Sequence, residues 1–76
     1  MTILMAKRMD IGKKYRPLEL TSFPLKDGGE VLLDEHDRLC LTERAEDMLT
    51  LQVLSGKNRG KAIQLPESDS MLLTRA

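Results

Sequence analysis

The chain is nearly devoid of aromatic side chains: one Phe, one Tyr and no Trp stand among 76 residues. Aromatics bury the most area per side chain, so the core has to be assembled from Leu, Val, Ile and Met. A single cysteine, Cys40, excludes an internal disulfide, one of the usual reinforcements of a small domain. Cys40 is expected to be a small buried hydrophobe in a reducing compartment. Long apolar runs are missing too. The opening residues, Met1 to Ala6, are mostly apolar and are followed by Lys7 and Arg8. A signal peptide runs in the opposite order, and a membrane helix needs about 20 apolar residues. A cytoplasmic location without membrane contact is therefore expected, with Met5 as an alternative start.

Catalytic equipment is equally sparse. The one histidine, His36, lies four residues from Cys40 in an apparent turn, and a catalytic thiol needs a base and a third group to orient it. Asp34, Glu35, His36 and Asp37 are four successive metal-ligand types, but side chains alternate direction along an extended segment and do not converge on one ion. The glycine of a calcium loop is missing from them. Gly56 to Lys61 lacks the spacing and terminal Ser or Thr of a phosphate loop. No enzyme activity, cofactor or metal is expected.

What is present is charge in blocks. Twelve cations balance 12 anions. Residues 1–16 carry Lys7, Arg8, Lys13, Lys14 and Arg16 against Asp10 alone. Residues 27–47 carry Asp27, Glu30, Asp34, Glu35, Asp37, Glu43, Glu46 and Asp47 against Arg38 and Arg44. Lys57, Arg59 and Lys61 then return the sign to positive. Segregated charge steers partners even where the sum is zero.

The apolar pattern has the period of strands. Ala6 to Arg16 shows neither sustained alternation nor a helical stripe, and residues 1–16 are expected to form a flexible basic arm, followed by a small β domain over 17–76. Leu18 to Thr21 alternates, and Pro24 confines the continuation through Phe23 and Leu25 to an edge or bulge. Lys26-Asp-Gly-Gly29 is a turn. Val31-Leu-Leu33 and Leu39-Cys-Leu41 form an expected hairpin across Asp34 to Arg38. Thr42 to Met48 is expected to make one helical turn, with Thr42 as its cap. Leu49 to Val53 and Ala62 to Leu65 alternate on either side of Ser55 to Gly60, the clearest hairpin in the chain. Residues 66–70 form a loop, and Met71 to Thr74 a last short strand. The fold class is mainly β: a small antiparallel twisted sheet or partly open barrel of about five short strands, with one short helical turn.

The Gly56–Lys61 hairpin carries the sharpest functional signal. Glycines let backbone approach a ligand closely, and Lys57, Arg59 and Lys61 present charge from a tip. In the arm, Lys7, Arg8, Lys13, Lys14 and Arg16 would track phosphates while Tyr15 stacks on a base. An acidic protein surface would suit the same arm, and a plain solvated tail is its simplest account.

Leu51-Gln-Val-Leu-Ser-Gly-Lys-Asn-Arg-Gly-Lys61 resembles the centre of a KOW module, a small barrel of ribosomal and transcription-elongation proteins. The resemblance implies contact between this hairpin and RNA or the transcription machinery. The family's further glycine is absent from Ala62 to Leu65, and its usual Gly-Asp before the first strand is replaced by Glu46-Asp47, two residues too far upstream. The hairpin is also similar to the first one of a forkhead-associated domain, with Met71 to Arg75 near that family's Ile-Gly-Arg and Thr74 in the glycine's place.

These readings converge on a non-catalytic regulator docking on RNA polymerase or a ribonucleoprotein, in the style of a phage or plasmid transcription regulator. Its expected contacts are Lys7, Arg8, Lys13, Lys14, Tyr15, Arg16, Lys57, Arg59 and Lys61. Direct nucleic-acid contact and weak self-association stay open. The alternative is a protein–protein adaptor that binds a non-nucleic partner through its acidic hairpin and strand edges.

Overall fold

The computed structural model describes residues 9–76. Seven strands form in chain order: β1 Lys14–Pro17, β2 Thr21–Pro24, β3 Glu30–Leu33, β4 Leu39–Ala45, β5 Met48–Val53, β6 Ala62–Pro66 and β7 Leu73–Arg75. A 3-10 helix, Glu67–Leu72, separates the last two. Five strands make an antiparallel sheet in the order β6-β5-β4-β1-β7, and β2 and β3 make a separate hairpin. The hairpin meets the sheet through a bridge between Leu25 and Ile63 and the bond from Lys26 N–H to Ala62 O. The sheet is not closed into a barrel. The expected mainly β architecture is the one observed.

Period-2 patterning builds the core. Leu49, Leu51 and Val53 of β5 and Ile63 and Leu65 of β6 face inward, where they meet Leu39 and Leu41 of β4. Phe23, Val31 and Leu33 come from the hairpin, and Phe23 is only 1% exposed. Tyr15, Met9 and Leu73 complete the cluster. A bulge between Leu41 and Glu43 lets Thr42 Oγ1 donate to Thr50 O at 3.1 Å.

Four expectations need correction. The basic arm does not extend to residue 16 as a free segment. Met9 is buried, Gly12 N–H bonds Leu41 O, and Lys14 to Pro17 lie between β4 and β7. Pairing with strands distant in sequence supplies the order that local pattern lacks. Residues 1–8 of that arm, Lys7 and Arg8 among them, lie outside the described residues.

Next, Thr42 to Ala45 continue β4, and Glu46 and Asp47 turn the chain with φ of 50° and 66°. Such left-handed pairs fit the right-handed twist of a two-residue hairpin loop. The helical turn sits instead at Glu67–Leu72, in what the sequence predicts to be a loop. The third correction concerns Leu18 to Leu20, which form bends, so the strand begins only at Thr21.

Finally, β3 and β4 are not a hairpin. Asp34 accepts from His36 N–H at 2.8 Å, and Asp37 accepts from Asp34 N–H at 2.8 Å. These side-chain turns swing the chain from the two-stranded unit into the five-stranded sheet. No helix among the described residues is long and apolar enough to cross a membrane.

Candidate functional site

Register places the basic residues. Lys14 pairs with Cys40, Cys40 with Gln52, and Gln52 with Ala62, so these four form one row across the sheet. Their neighbours Tyr15, Leu39 and Val53 form the next row and are buried. The Lys14 row is therefore the outer face, since alternate residues of a strand take opposite faces. Cys40 lies half-buried on it, not in the core as expected, because its neighbours Leu39 and Leu41 take the inward positions.

Two residues further along β1, Arg16 pairs with Thr74 of β7. Antiparallel pairing means that this step runs toward Arg38 in β4 and toward Leu54 and the following turn in β5. The bond from Leu54 N–H to Arg38 O, 2.7 Å, fixes that alignment. Arg16, Arg38 and the 55–61 turn thus gather at one end of the sheet. With strands about 4.8 Å apart, β1 and β6 are separated by about 14 Å. Two basic segments far apart in sequence share one end of a small domain. Lys13 is set back from that end by one row beyond Lys14, beside Leu41.

The turn itself is tightly held. Arg59 N–H bonds Gly56 O at 3.2 Å, Gly60 N–H bonds Val53 O at 2.9 Å, and Lys61 N–H bonds Asn58 O at 3.1 Å. Asn58 is buried and accepts from Lys61 Nζ through Oδ1 at 3.2 Å. Ser55 Oγ accepts from Arg38 N–H. Gly56 has φ of 77°, and a Cβ there would stand 3.0 Å from Asp37 Oδ1. The acidic corner and the basic turn are consequently packed against each other. Lys57 and Arg59 remain exposed. None of Lys13, Lys14, Arg16, Lys57, Arg59 or Lys61 has an ion-pair partner among the described residues.

Tyr15 does not serve as expected. Its ring is 5% exposed, its hydroxyl accepts from Asp10 N–H at 2.7 Å, and Arg75 lies 6.0 Å above the ring centroid. The inward phase of β1 that exposes Lys14 necessarily buries Tyr15. Phe23 is buried as well, and these two are the chain's only aromatics. Base stacking, which supplies much of the affinity for single strands, therefore has no Tyr or Phe ring to use, and the exposed imidazole of His36 stands in the acidic corner.

Sequence reasoning missed two features. Arg38 belongs to the basic end, although its own segment reads as acidic. Its guanidinium also donates to Glu35 O at 2.9 Å and Asp37 O at 3.1 Å, holding the corner together. The second feature is an open groove of about 480 Å³ lined in part by Leu20, Leu32, Asp34, Asp37, Gly56 and Lys57. A signal for it was present: in the apolar run Val31-Leu-Leu33, a strand must turn the middle residue away from its neighbours. No family model, curated protein or solved structure matches the chain.

Proposed function

We propose that this domain is a non-catalytic docking module for nucleic-acid machinery, RNA polymerase or a ribonucleoprotein being the favoured partner. The observation that carries the proposal is the shared end of the sheet. Pairing brings Lys14, Arg16 and Arg38 toward the Lys57–Lys61 turn, so two basic segments act as one surface. The resemblance of 51–61 to a KOW hairpin points to the same partners. A zero net charge and an acidic corner beside Lys57 favour an assembly over bare nucleic acid, whose binders usually carry a net positive domain. With Tyr15 and Phe23 buried, direct contact with RNA or DNA would lean on the phosphates and would weaken steeply with salt.

The test uses purified RNA polymerase, ribosomes and a nucleic-acid duplex at low and high salt. Replacing Lys57, Arg59 and Lys61 together by Gln is expected to abolish capture while the fold survives. Neutralising Asp34, Glu35 and Asp37 is the contrasting variant, expected to spare any direct nucleic-acid affinity. Absence of binding to all three probes at low salt would sink the proposal. The adaptor reading retains one specific support, the edge of β3 that no strand among the described residues pairs with.

A further inference from the structure

Beyond the basic end, the outer edge of β3 is built to take a strand. Among the described residues its only strand neighbour is β2, and the phase of that ladder shows which groups it leaves free. Leu25 N–H bonds Gly29 O at 3.0 Å, and Pro24, opposite Glu30, has no N–H to give. Bonded and non-bonded pairs alternate along an antiparallel ladder. Val31 and Leu33 therefore spend their amides and carbonyls on β2, while Glu30 and Leu32 turn theirs outward. Residues 30–33 make no backbone bond to any other segment among the described residues.

The side chains beside this edge are also unpartnered. Leu32 is 62% exposed and Leu20 66%, and both line the open groove that Gly56 and Lys57 border on its far side. Exposed edges are normally blunted by charge along their length, by proline or by a covering segment. Here the acids stand at the two ends: Asp27 and Glu30 at one against Lys26, and Asp34, Glu35 and Asp37 at the other against Lys57 and Arg38, whose guanidinium is turned onto the Glu35 and Asp37 carbonyls. The centre is apolar.

We propose that the β3 edge binds an extended segment of a partner protein as an added strand, and that this segment has an apolar centre with cationic residues at both flanks. Backbone bonds to Glu30 and Leu32 would supply the pairing, Leu20 and Leu32 the apolar seat, and the acidic ends the selection. A second copy of this chain fits poorly. Antiparallel self-pairing centred on Leu32 would set Glu30 of one copy opposite Asp34 of the other, and like charges facing across a ladder destabilise it. The acids equally repel a phosphate backbone. This site does not rest on the nucleic-acid reading and survives its failure.

The experiment titrates isotope-labelled full-length protein with a synthetic peptide of alternating valine and threonine carrying lysine at both ends. Its control is the same peptide ended by glutamate. The lysine-ended peptide is expected to slow hydrogen exchange at the Glu30 and Leu32 amides and to bind at least about tenfold more tightly than the control. Leu32→Pro deletes an outward amide and spares the bonds to β2, so binding is lost while the remaining spectrum persists. Glu30→Lys, which keeps every backbone bond, is expected to reduce or invert the preference between the two peptides. Three results would overturn the proposal. Exchange at Leu32 stays unchanged at millimolar peptide, both peptides bind alike, or the edge is already protected without peptide in proportion to protein concentration.

Discussion

The hairpins β2–β3 and β5–β6 are built from the same local ingredients and end in opposite situations. Each is antiparallel, and each turns through two positive-φ glycines, Gly28 and Gly29 in one and Gly56 and Gly60 in the other. β5 is flanked by β4 as well as β6, and five inward apolar residues of this hairpin are almost fully buried. Among the described residues β3 has β2 alone, and its residue Leu32 is exposed. The comparison teaches that a hairpin's place in the fold is decided by what lies beyond its outer strands. β5–β6 is framework, whereas β2–β3 is anchored by Phe23, Val31 and Leu33 and keeps an edge free.

The sharpest way to break this comparison is to remove one anchor from each side. Leu51→Ala is expected to cost about 2–5 kcal/mol and Phe23→Ala about 3–5 kcal/mol in denaturant melts, since both side chains are fully enclosed. If the smaller hairpin opens on its own, Phe23→Ala will instead accelerate hydrogen exchange at Val31 and Leu33 and leave the global transition nearly in place. That result would make β2–β3 a separable unit.

Next in size are the turns. Gly56→Ala meets both a left-handed backbone and Asp37 Oδ1, so a loss of about 1–3 kcal/mol is expected. Gly60, with φ of 91° and open space around it, shares only the conformational part, and Gly60→Ala is expected to cost about 1 kcal/mol. Equal losses would mean that the corner and the turn are not truly packed together.

Much of this was legible in the sequence. Leu49, Leu51, Val53, Ile63 and Leu65 alternate without a break, so the framework hairpin stands out. Lys26-Asp-Gly-Gly29 marked the other turn correctly. β1 escaped notice because its four residues place Lys14 and Arg16 outward, which mimics a solvated arm. Only its distant neighbours β4 and β7 make it a strand. The route from β3 to β4 escaped notice for a different reason: two apolar runs on either side of a polar turn look paired, and side-chain turns at Asp34 and Asp37 redirect them. Glu46 and Asp47 carry no glycine to announce a tight turn, so the segment passes for a helix. Of the candidate site, the cations were visible one by one. Their gathering at one end depends on register, which no local pattern encodes.

Tyr15→Phe probes the transition between framework and arm. It leaves Asp10 N–H without its acceptor, and since Asp10 is exposed to water the expected cost is that of one hydrogen bond, about 0.5–1.5 kcal/mol. A neutral outcome would show that residues 9–13 are tied down by Met9 and the Leu41 bonds alone. The smallest effect belongs to the surface. Replacing Lys57, Arg59 and Lys61 by Gln is expected to change stability by less than about 0.5 kcal/mol, and a circular-dichroism melt of the same variant used for binding checks it. Lys61 contributes most of any loss, because its ammonium donates to Asn58.

The position of β1 has a consequence for the order of events in folding. It lies between β4 and β7, with Tyr15 opposite Arg75 and Ala76 N–H bonded to Lys14 O. The β4–β5–β6 meander can zip from one tight turn to the next, but the seam between β1 and β7 joins nearly opposite ends of the described chain. Closing a loop of that length costs about 3–4 kcal/mol of chain entropy before any contact compensates. The seam is therefore a late event, and on a ribosome it waits for the last strand to emerge. Until then β1 offers one side of its backbone to whatever strand is near.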